Sequence, residues 1–218
     1  NSIVGFAPGM PPSIYPEGIY RRIPKGSKLI IQAHYTPSGS EETDQSELGL
    51  VFADPQTVKR EMTVAAALNW MFLIPPGASD HRVEATYTVQ EHTLLWGLTP
   101  HMHLRGKSFR FVANYKSGDS EVLLDVPRYD FNWQMYYELE TPKRIPSGSK
   151  VIVTTLFDNS LKNRYNPAPQ NTVYWSDQSW DEMYAPQVRI TLDRRDLRRS
   201  GNTQTGQRAR FADSFPRP

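Results

Sequence analysis

The chain has no cysteine among its 218 residues. That absence excludes a disulfide scaffold, a zinc finger, an iron–sulfur cluster, a thiol nucleophile and a cysteine-ligated blue-copper centre. Long apolar runs are missing too. None approaches the ~20 residues a membrane helix needs, and nothing at the start reads as a signal peptide. Helical periodicity is scarce, and no glycine-rich phosphate loop, Gly-x-Ser-x-Gly elbow or His-Glu-x-x-His pair occurs. A strongly basic balance is lacking as well. The net charge of +2 splits into seven arginines against two aspartates over residues 194–218 and 18 basic against 21 acidic residues over 1–193. That distribution argues against a nucleic-acid-binding face. The basic tail, poor in large apolar residues, reads as an extended arm.

What the chain does have is short runs rich in β-branched and aromatic residues: KLIIQAHY (28–35), ELGLVFA (47–53), VEATYTV (83–89), TLLWGL (93–98), FRFVANY (109–115) and KVIVTTLF (150–157). Turn signals such as IPKGS, TPSGS, IPPGAS, KSGD and IPSGS bound them, and the 18 prolines suit strand edges and corners. Many short strands at this spacing predict an antiparallel all-β fold, a sandwich or jelly roll.

An internal echo refines this expectation. RRIPKGSKLIIQAHY (21–35) matches KRIPSGSKVIVTTLF (143–157), and IPPGAS (74–79) shares part of the idiom. Either a common loop-to-strand device is reused, or a β domain is duplicated. Under duplication the copies are unequal, because far less chain precedes the first motif than the second. The expected organisation is then two antiparallel jelly-roll-like sandwiches. Residues 1–71 form the later part of the first, residues 72–193 the second, and 194–218 a basic tail. The missing opening strands would come from an upstream domain or a partner chain.

Two of the five histidines lie in PHMHLRG (100–106). In a strand, residues two apart share a face, with Cα atoms about 7 Å apart. Leu94, Trp96, Leu98, Met102 and Leu104 would form an apolar face, leaving His101 and His103 on the other, where two imidazoles can converge on one metal. The plainer alternative is ordinary strand histidines. His34 passes the same test, sharing with Gln32 the polar side of LIIQAHY. His81 and His92 read as surface residues. Met183, in SWDEMY, is a core filler or a ligand, with Asp181 and Glu182 assigned to a turn. Asp158-Asn159-Ser160 likewise reads as turn chemistry.

Taken together, LIIQAHY, IPPG, HMHLRGKSF and DEMY, in this order and spacing, resemble the copper type II, ascorbate-dependent monooxygenases, the family of peptidylglycine α-hydroxylating and dopamine β-monooxygenases. The similarity spans roughly residues 5–190 and is nearest to bacterial relatives. The resemblance implies a periplasmic or extracellular protein with two jelly rolls facing a cleft. His101, His103 and Met183 would hold the oxygen-activating copper. His34, with Gln32 beside it, would belong to the second, electron-supplying copper. The implied reaction hydroxylates a C–H bond of a small molecule with dioxygen.

The chain departs from the family pattern at several points. No adjacent His-His pair, the family's other ligands for the second copper, precedes His34. Thr99 stands where the peptide-amidating members carry an arginine, and Ala185 and Gln187 stand where they carry a polar residue and a tyrosine. A glycine-ended peptide is therefore not the expected substrate. The disulfides of animal members are also absent. Two other readings stay open: a copper-binding module without turnover, and a structural or carbohydrate-binding sandwich using WQMYY (133–137) and Trp175.

Overall fold

The structure, a computed structural model, describes residues 3–7, 10–35, 37–193 and 196–197. The described residues form twelve strands: β1 (Ile19–Tyr20), β2 (Arg60–Glu61), β3 (Thr63–Ala66), β4 (Leu73–Ile74), β5 (His81–Thr88), β6 (Thr93–Thr99), β7 (Gly106–Asn114), β8 (Ser120–Val126), β9 (Tyr137–Ile145), β10 (Lys150–Phe157), β11 (Val173–Tyr174) and β12 (Gln187–Leu192). One short 3-10 turn, Pro55–Thr57, is capped by the Asp54 carboxylate.

Eight of the strands make a sandwich of two four-stranded antiparallel sheets, ordered β3-β12-β6-β9 and β5-β10-β7-β8. The first and last strands pair, then the next inward on each side, down to the β7–β8 hairpin. A long ribbon wound in this way is a jelly roll. The all-β, antiparallel expectation holds. Pro142 sits in β9, an edge strand, where its missing N–H breaks no ladder.

Alternation explains which residues face inward. Val151, Val153, Thr155 and Phe157 of β10 and Phe109, Phe111 and Ala113 of β7 point into the sandwich, against Leu95 and Leu98 of β6 and Val188 and Ile190 of β12. Phe72 stacks on Phe157, with ring centroids 5.7 Å apart. The Tyr184 hydroxyl donates to the Val153 carbonyl at 2.6 Å, so a large ring enters the core with its polar end satisfied. Each fully buried Phe or Leu stabilises the sandwich by about 1.5–3 kcal/mol.

The expected apolar face of β6 is corrected by a bulge. Ile190 pairs with Leu95 and Arg189 with Gly97, so Trp96 is the extra residue. Its insertion exchanges the faces: Leu95 and Leu98 are buried, whereas Leu94 and Trp96 are only half-buried.

The four later apolar runs fall in β5, β6, β7 and β10, but the strands expected over 28–35 and 47–53 are not formed. The turn of the echo is nonetheless reproduced. Ser27 N–H donates to Pro24 and Ser149 N–H to Pro146, at 3.1 and 3.2 Å, and Gly26 and Gly148 both have φ +81°. What differs is the company the next segment keeps. β10 lies between β5 and β7, whereas residues 28–35 join no sheet among the described residues, and Ile30 is 91% exposed. A single extended segment cannot satisfy its own backbone, so it registers no ladder. The sandwich also begins earlier than residue 72, since β3 pairs with β12. The tail expected over 194–218 lies outside the described residues, apart from 196 and 197.

Candidate metal centre

His101, Met102 and His103 lie in the loop between β6 and β7. Met102 is fully buried and gripped by Tyr129, whose hydroxyl donates to its carbonyl at 2.7 Å and accepts from its N–H at 3.1 Å. Gly106 closes the loop by donating to His103 O at 3.1 Å. A Cβ on Gly106 would come within 2.6 Å of the Tyr129 ring and 2.9 Å of Met102 Cβ, so this tight turn admits only glycine. With Met102 anchored, its two neighbours project elsewhere. The His101 and His103 rings sit 5.3 Å apart between centroids and nearly perpendicular, at 83°.

Their environments differ. His101 is half-buried, and its Nδ1 donates to Gln134 Oε1 at 2.6 Å. The Gln134 amide nitrogen donates in turn to Phe131 O at 2.8 Å, which fixes the oxygen toward the ring. Nε2 of His101 is then the atom with a free lone pair. His103 is only 5% exposed, contrary to the outward face expected from strand alternation. The segment is a loop, and the Tyr129–Gln134 stretch folds over it, setting Phe131 edge-on to the His103 ring at 6.1 Å. His103 Nδ1 is buried without a hydrogen-bond partner among the described residues. Burial pushes its pKa down to about 4, assisted by His101 and by His34, while carbonyls of Asp181 and Gln178 act in the opposite sense. Burial also lowers that of His101, against the Gln134 hydrogen bond.

Met183 is half-buried in the turn between β11 and β12. Its N–H donates to Glu182 Oε2 at 3.0 Å, the oxygen that also accepts from His103 N–H at 2.8 Å. Ala185 N–H donates to His101 O at 3.1 Å. The structure therefore brings the methionine turn against the histidine loop, although about 80 residues separate them. Glu182 is fully buried and accepts from Arg105 N–H as well, at 2.7 Å. Burial raises its pKa to about 7, against the pull of the three N–H groups and the Arg105 charge.

The second expected site is less formed. His34 and Gln32 are exposed in the unpaired segment. His34 comes near enough for its charge to disfavour protonation of His103. Among the described residues no three of His, Cys, Asp and Glu are grouped to hold a metal. His81 and His92 are half-buried rather than on the open surface; His92 Nδ1 accepts from Ser147 N–H at 3.2 Å.

Sequence reasoning missed five residues of this centre: Arg105, Tyr129, Gln134, Asn159 and Glu182. Asn159 reads as turn chemistry, and the turn is real, with Ser160 N–H donating to the Asp158 carboxylate. Yet Asn159 is fully buried and accepts from Arg105 Nε at 2.8 Å, while its amide donates to Pro75 O and Asn171 O. A signal available in the sequence is the aromatic density of YDFNWQ (129–134), unusual for an exposed loop.

No protein-family profile matches the chain, and no curated protein matches it. Among solved structures, it is similar to the infectious bursal disease virus VP2 subviral particle, at 10% identity and a TM-score of 0.31. That overlap covers 66% of this chain and 37% of that one. The structure of the same virus, Gx strain, gives 10% identity, a TM-score of 0.29, and 66% and 38% coverage. The chain spans well under half the length of these structures, and likenesses this loose carry no argument about it.

Proposed function

We propose that the chain is the oxygen-activating part of a copper-dependent monooxygenase. It would hydroxylate a C–H bond of a small molecule, drawing on dioxygen and an ascorbate-like reductant. The observation that carries this reading is the buried, unpartnered Nδ1 of His103 beside a second imidazole. A buried polar atom without a partner is costly unless something binds it, and a ring nitrogen with a free lone pair is a metal ligand. The resemblance supplies the third donor, the Met183 thioether.

This donor set suits copper. Thioether is soft and favours Cu(I), imidazole accepts both oxidation states, and zinc rarely takes methionine. Copper bound there would supply the one-electron and oxygen chemistry. The chain's own residues would supply placement. His101 and His103 would offer lone pairs, Gln134 would hold the His101 ring and its tautomer, and Phe131 would wall one side of His103. Such outer partners orient metal-binding imidazoles and raise their basicity. His34, with Gln32 beside it, would be this chain's contribution to a second, electron-supplying copper. The remaining ligands and the missing strands would come from an upstream domain or a partner chain. A bacterial periplasmic or extracellular setting completes the proposal.

Anaerobic Cu(I) loading against a competing chelator tests it. One copper should be retained per wild-type chain, and His101→Ala should weaken binding by more than about 100-fold while leaving the β circular-dichroism signal unchanged. Equal retention by both chains would contradict it. A second reading, a copper-binding module without turnover, is favoured by the exposed, ungrouped position of His34. Ascorbate-dependent oxygen uptake separates the two.

A further inference from the structure

The side chains of Glu182 and Arg105 cross in opposite directions between the histidine loop and the methionine turn. The Glu182 carboxylate leaves the methionine turn and accepts from His103 N–H and Arg105 N–H. The Arg105 guanidinium leaves the histidine loop and donates back to Trp180 O at 2.8 Å and Asp181 O at 3.4 Å. Neither side chain is exposed by more than 1%. Asn159 braces the guanidinium from behind and is itself tied to Pro75 O and Asn171 O, so the clamp is anchored in two further loops.

Glu182 does not need its carboxylate to form its own turn. Its backbone already donates to Tyr174 O, accepts from Ser176 N–H and bridges Trp175. The side chain is spent instead on a join between loops. One oxygen, Oε2, takes both the Met183 and the His103 amides, which fixes how these two residues stand to each other. Charge-assisted bonds of this kind are short and about twice as strong as neutral ones, and their geometry is set before any ligand arrives.

We propose that Glu182 is a positioning residue that sets the Met183 sulfur against His101 and His103, with Arg105 as its counterpart. This rests on the reading of those three residues as copper ligands. Sulfur coordination then depends on a carboxylate that never touches the metal. A merely structural role for Glu182 would change the folded fraction but not the coordination of copper in the chains that fold.

The test is X-ray absorption on the full chain loaded anaerobically with Cu(I), comparing wild type, Glu182→Gln, Glu182→Asp and Met183→Ile. Gln keeps the size of Glu but turns one acceptor oxygen into a donor, and Asp keeps the charge but is too short to reach both loops. The expected result is a sulfur shell at least halved per bound copper in the folded Glu182 variants, approaching that of Met183→Ile, with the imidazole shells retained. A full sulfur shell in folded Gln and Asp chains would overturn the proposal alone. A wild type that binds copper without sulfur would overturn it together with the His101–His103–Met183 reading. Should Gln fail to fold, Asp carries the comparison, and loss of fold in both assigns Glu182 to stability and overturns positioning.

Discussion

His101 and His103 share a loop and a spacing, but not a role in the fold. His101 is half-buried and tethered to Gln134, while His103 is enclosed, with a ring nitrogen left unpaired. Replacing Gln134 with Ala frees the His101 ring to turn and to change tautomer. On the copper proposal, Cu(I) affinity should fall about 10–100-fold, with the melting temperature held within a few degrees; chelator competition and thermal unfolding measure the two. An unchanged affinity would show that the tether does not prepare the ligand. The histidine pair itself was legible in the sequence, because His-x-His is a local pattern. Its surroundings were not. Tyr129 and Gln134 reach it from roughly 30 residues away and Glu182 from about 80, and no local pattern encodes a contact at that separation. Glu182 and Asn159 were also hidden by their company, since acidic and amide residues beside turn signals ordinarily serve the turn alone.

At the scale of elements, β6 carries the largest departure from simple alternation. Trp96 is the extra residue opposite β12, whereas opposite β9 the register jumps from Lys143 to Glu138 as β6 passes from Leu95 to Gly97, so the extra residues on that side lie in β9. Gly97 faces the incoming edge strand so closely that a Cβ would lie 2.4 Å from the Tyr136 ring and 2.5 Å from Tyr137 O. The second of these is backbone and cannot swing aside. Gly97→Ala should therefore destabilise the chain by about 1–3 kcal/mol, read as a lower urea midpoint with unchanged slope; a midpoint equal to wild type would refute the close approach. The later strands were legible because each combines period-two alternation with a bounding turn. Residues 28–35 carry the same signals and the same left-handed glycine turn, yet form no ladder, because pairing is decided by a neighbour that the pattern cannot report. Ile30 buries almost nothing. Ile30→Ser should shift the unfolding free energy of this chain by less than about 0.5 kcal/mol, and a shift of 2 kcal/mol or more would place that residue in a packed interface.

Across the whole molecule, the jelly roll gives a rigid frame on which one end gathers four loops: 75–78, 101–105, 158–171 and 176–183. β12 lies antiparallel beside β6 with Gln187 opposite Thr99, so the methionine turn that leads into β12 is carried back to the loop that leaves β6. The fold thus explains how residues distant in sequence meet at one end of the sandwich. No helix among the described residues is long and apolar enough to cross a membrane. The Met183 sulfur is the element of the account that distinguishes copper chemistry from ordinary imidazole metal binding. X-ray absorption on the Cu(I)-loaded chain, wild type against Met183→Ile, tests it most directly. The expected result is one sulfur scatterer beside two imidazoles in wild type, lost in the variant while the imidazoles remain. A shell of nitrogen and oxygen alone, the same in both chains, would contradict the His101–His103–Met183 centre.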